Sequence, residues 1–139
     1  MVPAATKTKA DVEYQVMLAV LNFHRDYLAL HYSRVRIQMI DNVIEVTLAP
    51  RRPIPAEQLL AQSPEGRVQL QQMHTAAFRS GEAQLRDRLQ GILGIEVQEF
   101  VTQLDAETGI NTVIIRLAKR LDLVLPPVSS NEFEVKHLA

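Results

Sequence analysis

Apolar residues recur every three or four positions between residues 63 and 94, which is the spacing of one face of an α-helix. Ser63 is a favoured N-cap, Pro64 suits the first helical position, and Gly94 suits the C-terminal cap. The pattern therefore predicts a helix that ends near Leu93. Its apolar stripe consists of Leu70, Met73, Ala77, Gly81, Leu85, Leu89 and Ile92.

The predicted length of this helix has a consequence for assembly. At the usual rise per residue, about 30 residues span about 45 Å. A compact domain of 139 residues is about 37 Å wide, so a straight helix would project beyond it. We therefore expect either a break near Ser80-Gly81 or a second copy of the chain that covers the projecting part.

A second helical pattern begins at Asp11, a favoured N-cap, and continues to Leu30. Its apolar residues form one main face, and a second apolar set lies beside that face around the helix. This helix therefore needs cover from two directions. The two helices lead us to expect a homodimer or protein-partner interface, with packing inside one chain as the alternative. The residues predicted for the interface are Leu18, Leu21, Leu70, Met73, Ala77 and Leu85.

Strict alternation of apolar and polar residues predicts a β-hairpin over residues 34–48, with Asp41-Asn42 as its turn. A two-residue turn sets Met39 opposite Ile44, and this register brings the apolar side chains of both strands to one face. The opposite face is polar. The first hairpin is therefore expected to be covered on one side only.

A second hairpin is predicted after the long helix, with a turn at 105–109 in which Gly109 takes a positive φ. In this register Val101 lies on the buried face and Phe100 on the opposite face, so that both faces need cover. Glu99 interrupts the buried face. A β-bulge, or a partner for the carboxylate, would explain it.

The order of hairpin, helices and hairpin predicts the α+β class. We expect a four-stranded, mostly antiparallel sheet made of two β-hairpins, with an N-terminal helix and a long central helix packed on it. A single domain suffices for a chain of 139 residues with 47% hydrophobic content. We predict a flexible leader at 1–10, one α/β domain at 11–118, and a C-terminal extension or tail at 119–139. Within that extension, 121–125 is expected to form an added edge strand or to dock in a groove.

The composition argues against several classes of protein. The chain has no cysteine, which excludes disulfides, thiol nucleophiles and Cys-ligated metals. Of its four histidines, His24 and His31 are seven residues apart, and no Asp or Glu stands at ligand spacing beside both. Neither a Gly-rich phosphate loop nor a Gly-x-Ser-x-Gly motif is present. We therefore expect no enzyme, metal or cofactor. A pI of about 6.4 argues against nucleic acid as a partner.

The distribution of apolar residues also bears on localisation. The first ten residues do not resemble a signal peptide, and no apolar segment of about 20 residues is present. We therefore expect a cytoplasmic protein without a transmembrane segment.

Four arginines give the chain one candidate ligand site. Arg34, Arg36, Arg51 and Arg52 lie near the polar face of the first hairpin. Guanidinium groups suit a carboxylate, a phosphate or bicarbonate, because they donate paired hydrogen bonds. The alternative is a solvated sheet face with ordinary cross-strand pairs.

Several short elements carry a likeness to a known family. They are the hairpin about Asp41-Asn42, Pro55-Ala56-Glu57, Leu60-Ala61, Ser63-Pro64-Glu65-Gly66-Arg67, Leu93-Gly94 with Val97, and Asp105 with Thr108-Gly109. In these elements, over about residues 12–117, the chain resembles the bacterial MpsC family, formerly a domain of unknown function. It departs from the pattern of that family in the Pro-rich connection 50–55, at His74 and after Ala118.

The resemblance implies association with a membrane system that generates a sodium-linked membrane potential and takes up inorganic carbon. It implies no catalytic residues. We therefore expect a non-catalytic, cytoplasmic interaction or regulatory protein, a homodimer, which docks on another protein such as a membrane transport complex and is peripheral to the inner membrane through it. The alternative function is a module that senses a small anion such as bicarbonate, phosphate or a nucleotide.

Overall fold

The structure is a computed structural model that describes residues 8–49 and 54–121 and the backbone of 131–134. Helix α1 (Lys9–Asn22) continues into a π-helical segment (Phe23–Tyr27), and two further helices follow, α2 (Pro55–Leu60) and α3 (Pro64–Leu93). The strands are β1 (Arg34–Ile40), β2 (Val43–Ala49), β3 (Val97–Leu104), β4 (Asn111–Leu117) and β5 (Asn131–Glu134).

The strands form one antiparallel sheet in the order β3-β4-β2-β1-β5. Helix α1 packs on β1 and β2, and α3 packs on β3 and on α1. The predicted α+β fold with two hairpins and two packed helices is confirmed. A fifth strand, β5, pairs with β1 inside the segment predicted as a tail. Residues 122–125, predicted to form an edge strand or a docked segment, lie outside the described residues.

The first hairpin has the predicted register. Met39 pairs with Ile44, and the pairs at 37/46 and 35/48 follow from it. All six side chains are fully buried beneath the helices, because one register places every apolar position on the same face. The turn residue Asp41 has a φ of 54°.

The second hairpin differs from its prediction by one residue. A register shift lies between Val97 and Glu99, after which Phe100 pairs with Ile115. Phe100 is therefore buried, with 4% of its surface exposed, and Val101 turns to the open face, where it is only half-buried. The predicted faces of Phe100 and Val101 were wrong, because the bulge moves each later residue to the other side. On the opposite face Val101, Ile110 and Ile114 are all half-buried.

Helix α1 begins earlier than predicted. Thr8 is the N-cap, and its hydroxyl accepts a hydrogen bond from Asp11 N at 3.1 Å. The Asp11 carboxylate in turn accepts from Thr8 N at 3.2 Å. Asp11 was thus correctly placed at a helix start but assigned the wrong role, since it is the second member of a capping box.

Helix α3 is continuous from Pro64 to Leu93, with Ser63 and Gly94 as the predicted caps. It does not break at Gly81. A Cβ on Gly81 would lie 2.5 Å from the Tyr27 ring and 2.9 Å from the Phe23 ring. The glycine therefore permits the π-helical segment to approach α3 closely.

The segment after the π-helical turn contains a strained residue. Ala29 has a φ of 56°, in the left-handed region where a Cβ costs about 1–2 kcal/mol. We expect Ala29→Gly to raise the free energy of unfolding by about 0.5–1 kcal/mol in urea titrations, after the greater chain entropy of glycine is subtracted.

The matched control for this substitution is Ala83→Gly in the interior of α3. Ala83 is exposed and helical, so glycine there is expected to lower stability by about 1 kcal/mol. The two substitutions should therefore have opposite signs. A loss of stability in both would show that Ala29 is not strained.

Candidate functional site

An apolar cleft of about 460 Å³ opens beside the first half of α3. Segment 28–31 forms one wall and the start of α2 forms another. Most of its lining is aliphatic, contributed by Leu28, Leu30, Ile54, Leu70, Met73, Ala77 and Leu104. Three side chains with polar groups also line it, His31, Glu57 and His74. A cleft of this size and composition is typical of binding sites.

The rim of the cleft presents apolar side chains to solvent. Met73 is 63% exposed and Ile54 is 58% exposed. Met73 belongs to α3, whereas Ile54 is the N-cap of α2. Exposed apolar side chains on both sides of one cleft provide a surface that binding would cover.

Helix α2 is a thin wall of this cleft. None of its residues is buried. It is joined to α3 where Arg67 Nη1 donates to Ala61 O at 2.9 Å. Gly66 lies so close to Leu60 O that a Cβ there would overlap the carbonyl. Glycine at this position therefore allows the two helices to meet at the edge of the cleft.

A chain of buried hydrogen bonds leads inward from His74. His74 Nε2 lies 2.9 Å from Thr102 Oγ1, and Thr102 Oγ1 lies 3.2 Å from Asn111 Oδ1. Asn111 Nδ2 lies 3.1 Å from His24 Nε2, and His24 Nδ1 lies 2.8 Å from Val20 O. These hydrogen bonds thus connect α3, β3, β4 and α1 through the core.

The chemistry of these groups fixes the direction of every bond. Val20 O only accepts, so His24 Nδ1 donates, and the remaining ring nitrogen of neutral His24 accepts from the Asn111 amide. Asn111 Oδ1 accepts from the Thr102 hydroxyl, which then has no hydrogen left for His74. His74 Nε2 therefore donates to Thr102. Each of these four hydrogen bonds therefore has one donor and one acceptor.

His24 is neutral at ordinary pH. Burial in the core lowers its pKa from 6.5 to about 4. The hydrogen bond to Val20 O opposes this shift, and charge on His74 adds to it. The His74 ring lies 6.4 Å from the His24 ring. A neutral His24 is the form that can accept the hydrogen bond from Asn111.

The structure separates the six residues predicted for an interface. Leu21, Leu70 and Leu85 are buried within one chain, and Leu18 packs against the same core. Leu70 also lines the apolar cleft, whereas Leu18, Leu21 and Leu85 are not among its lining residues. Met73 and Ala77 remain exposed and both line the cleft. The single chain therefore encloses most of the helical stripes that suggested a dimer.

The predicted arginine site is only partly described. Arg34 and Arg36 line a second cleft of about 240 Å³ together with Thr47, Ala49 and Ile110. Arg51 and Arg52 lie outside the described residues. The backbone register sets Arg34 opposite Glu134 and Arg36 opposite Glu132. The structure thus brings two of the four arginines to one cleft.

Two further features concern the described part of the chain. Within residues 8–49, 54–121 and 131–134, no group of three or more His, Asp or Glu side chains is placed to hold a metal ion. Over the same ranges no helix combines the length and the apolar character that a membrane span needs.

The sequence patterns did not predict the buried hydrogen bonds that run from His74 to His24. Thr102 and Asn111 occupy buried positions on their strands. A polar residue at an inward position of an alternating strand indicates a buried hydrogen bond, and this was the signal that the sequence offered. The pairing of Asn111 with His24, which lie 87 residues apart, has no local signature.

Comparison with known proteins agrees with the resemblance seen in the sequence. The family described as Na+-translocating membrane potential-generating system (MpsC) matches residues 8–119. The uncharacterized protein YbcI of Bacillus subtilis (strain 168) is 27% identical over 116 residues, which cover 84% of this chain and 93% of that protein. No solved structure matches the chain significantly. Because the family match covers most of the sequence, the chain belongs to the MpsC family.

Proposed function

We propose that this protein is a non-catalytic interaction protein whose apolar cleft binds a hydrophobic segment of a protein partner in a membrane-potential system. The observation that carries the proposal is the cleft of about 460 Å³ with Met73 and Ile54 exposed on opposite sides of it. Buried apolar anchors supply most of the affinity in such interfaces. The family description supplies the kind of system.

The polar groups of the cleft support binding rather than catalysis. His74 Nε2 is committed to Thr102, and this bond lies inside the core. Glu57 Oε1 accepts from Ile54 N at 2.9 Å, which caps α2. Since these contacts hold the walls of the cleft, we assign both side chains to positioning.

The location of the protein follows from the proposed partner. We place it in the cytoplasm, peripheral to the inner membrane, with a membrane transport complex of the inorganic-carbon or membrane-potential type as the docking partner. Contact through the cleft would hold the chain at the membrane surface. A second copy of the chain is the other occupant that the cleft could accept, and it would make a homodimer.

The test replaces Met73 with Glu, because a carboxylate in an apolar interface loses its hydration without gaining a partner. Capture of the binding partner from native membranes is expected to fall about tenfold or more. The matched control is Val68→Glu, since Val68 lies on the same helix and is 56% exposed but does not line the cleft.

Two measurements decide the outcome. Equal recovery of the same partner by both variants would contradict the role of the cleft. Light scattering of the purified protein identifies a second copy as the occupant if the wild type is a dimer and Met73→Glu is a monomer. A monomeric wild type that captures no partner would contradict the proposed function.

We propose small-anion sensing as the second candidate function, supported by the arginine cleft. Arg34, Arg36 and Thr47 line a space of about 240 Å³, and guanidinium groups suit bicarbonate or phosphate. Calorimetry with bicarbonate, phosphate and a nucleotide is expected to give heat that Arg36→Gln removes. No heat and no shift in melting temperature with any of these anions would contradict this candidate.

A further inference from the structure

Segment 28–31, one wall of the apolar cleft, is attached to the π-helical segment through its backbone. Leu30 N donates to His24 O at 2.8 Å, and Leu28 N donates to Phe23 O at 3.3 Å. The wall itself belongs to neither a helix nor a strand. Its position therefore depends on where His24 and Phe23 lie.

The His24 ring is held to the sheet by Asn111. His24 is fully buried, and its bond to Val20 O stays within its own helical run, so that bond cannot place the ring relative to the sheet. Asn111 Nδ2 on β4 lies 3.1 Å from His24 Nε2. Two titratable rings face His24, those of Tyr32 and His74, with ring centres 5.9 Å and 6.4 Å away. Among the side-chain hydrogen bonds that the structure describes for His24, the bond from Asn111 is the one that reaches the sheet.

Three residues that line the cleft are connected to Asn111, namely Leu30, His74 and Leu104. Leu104 is its backbone pair on β3. His74 reaches it through the Thr102 hydroxyl, over distances of 2.9 Å and 3.2 Å. Leu30 reaches it through His24. Asn111 is fully buried and does not itself line the cleft. It therefore lies beneath the lining, where the connections from three walls meet.

An asparagine at this point of the core is suited to fixing geometry. The residues on the same side of β4, Val113 and Ile115, are apolar and fully buried. A buried amide is costly unless its hydrogen bonds are made. When they are made, a polar network fixes one arrangement of the surrounding side chains more strictly than apolar contacts do.

We propose that Asn111 is a positioning residue of the apolar cleft, and that it fixes the wall formed by segment 28–31 relative to α3 and Leu104. It acts through His24 and does not contact the occupant. The inference rests on the proposed function, because it assigns to Asn111 the shape of the site that binds the partner. A cleft whose walls are already in place spends less free energy on ordering when the partner binds.

The test compares two substitutions that differ in whether His24 can still be bonded. Asn111→Leu keeps a branched side chain but cannot bond to His24. Asn111→Asp places a carboxylate there, which accepts a hydrogen bond from a protonated His24 ring. The matched control is Thr112→Leu, because Thr112 is the next residue of β4 and is half-buried on the open face.

Hydrogen exchange of the Leu30 amide reports the position of the wall, since this amide donates to His24 O. In Asn111→Leu we expect it to exchange about fivefold faster, which is the effect of one lost hydrogen bond on local opening. In Asn111→Asp and in the control it should exchange as in the wild type. NMR of Asn111→Asp should show His24 protonated at pH 7, because the carboxylate beside the ring raises its pKa.

A residue that only fills space predicts the reverse order. Leucine would then preserve the protection of the Leu30 amide, and the buried carboxylate of Asn111→Asp would remove it. If one variant does not fold, the other decides alone. Protection retained in Asn111→Leu, or lost in a folded Asn111→Asp, is each sufficient to overturn the proposal.

Capture of the partner from native membranes separates this inference from the proposed function. Asn111→Leu should recover about fivefold less of the partner than the wild type does, and Asn111→Asp should recover as much. Full recovery by Asn111→Leu, together with loss by Met73→Glu, would overturn the role of Asn111 and leave the proposed function intact. If the wild type captures no partner, the proposed function is contradicted, and the exchange of the Leu30 amide still decides whether Asn111 holds the wall.

Discussion

Thr102→Val is expected to lower the free energy of unfolding by about 2–4 kcal/mol, although valine has nearly the same shape as threonine. The Thr102 hydroxyl accepts from His74 and donates to Asn111, and all three residues are buried. Valine would leave a donor on His74 and an acceptor on Asn111 without partners. Each buried group left in that state costs about 1–3 kcal/mol.

Urea denaturation of four proteins tests this expectation. Thr102→Ser retains the hydroxyl and should lose less stability than Thr102→Val. Thr112→Val is the control on β4, since Thr112 is half-buried on the open face and should change stability by less than about 0.5 kcal/mol. Similar losses for valine and serine at position 102 would mean that packing, and not the hydrogen-bond chain, determines stability there.

Local chemistry predicted the parts of the fold that depend on adjacent residues. The cap residues Ser63 and Gly94 bound α3 as expected, because their preferences act within one turn of the helix. The first hairpin has its predicted register, because a two-residue turn and strict alternation allow one pairing only. In these elements the preference of the local sequence agrees with the overall fold.

The errors arose where a single residue changes the geometry. The bulge before Glu99 exchanged the faces of Phe100 and Val101, and alternation alone cannot show where an extra residue is inserted. At α1, Thr8 and Asp11 are both favoured N-caps. The prediction named Asp11 alone as the cap, and the reciprocal bonds between the two residues place Thr8 at the cap and Asp11 at the third helical position.

The candidate site could be predicted only in part. Periodicity identified Met73 and Ala77 as apolar positions of α3, and both line the cleft. It could not separate these two exposed residues from Leu70, which lines the cleft but is buried, or from Leu85, which is buried and does not line it, because all four fit one helical stripe. Which side of a stripe meets the sheet depends on how α1 and α3 pack together, and that is a tertiary property.

Helix α3 has the predicted length, but its packing differs from the expectation of a projecting helix. α3 is about as long as predicted and is unbroken. Its buried stripe is covered within one chain, because the π-helical segment places Phe23 against Phe78, with ring centres 5.2 Å apart. Gly81 makes this close approach possible. A second copy is therefore not needed to cover that stripe.

Acid is expected to destabilise the folded protein through His24, by about 3 kcal/mol between pH 6.5 and pH 4. Burial lowers the folded-state pKa of His24 from 6.5 to about 4. Between these values the unfolded chain binds one proton more at this residue than the folded chain does. Stability therefore falls as the pH falls through this range, and the loss levels off below pH 4.

The contribution of His24 can be separated from that of the carboxylates, which also bind protons as the pH falls. His24→Gln removes the ring, so its free energy of unfolding should depend less steeply on pH, by up to about 1.4 kcal/mol per pH unit. Urea titrations from pH 7 to about pH 4 measure this difference. NMR of the wild type should show the His24 ring unprotonated above about pH 5. Equal slopes for the two proteins, or a His24 midpoint near 6.5, would show that the ring is accessible to water and not held within the hydrogen-bond chain.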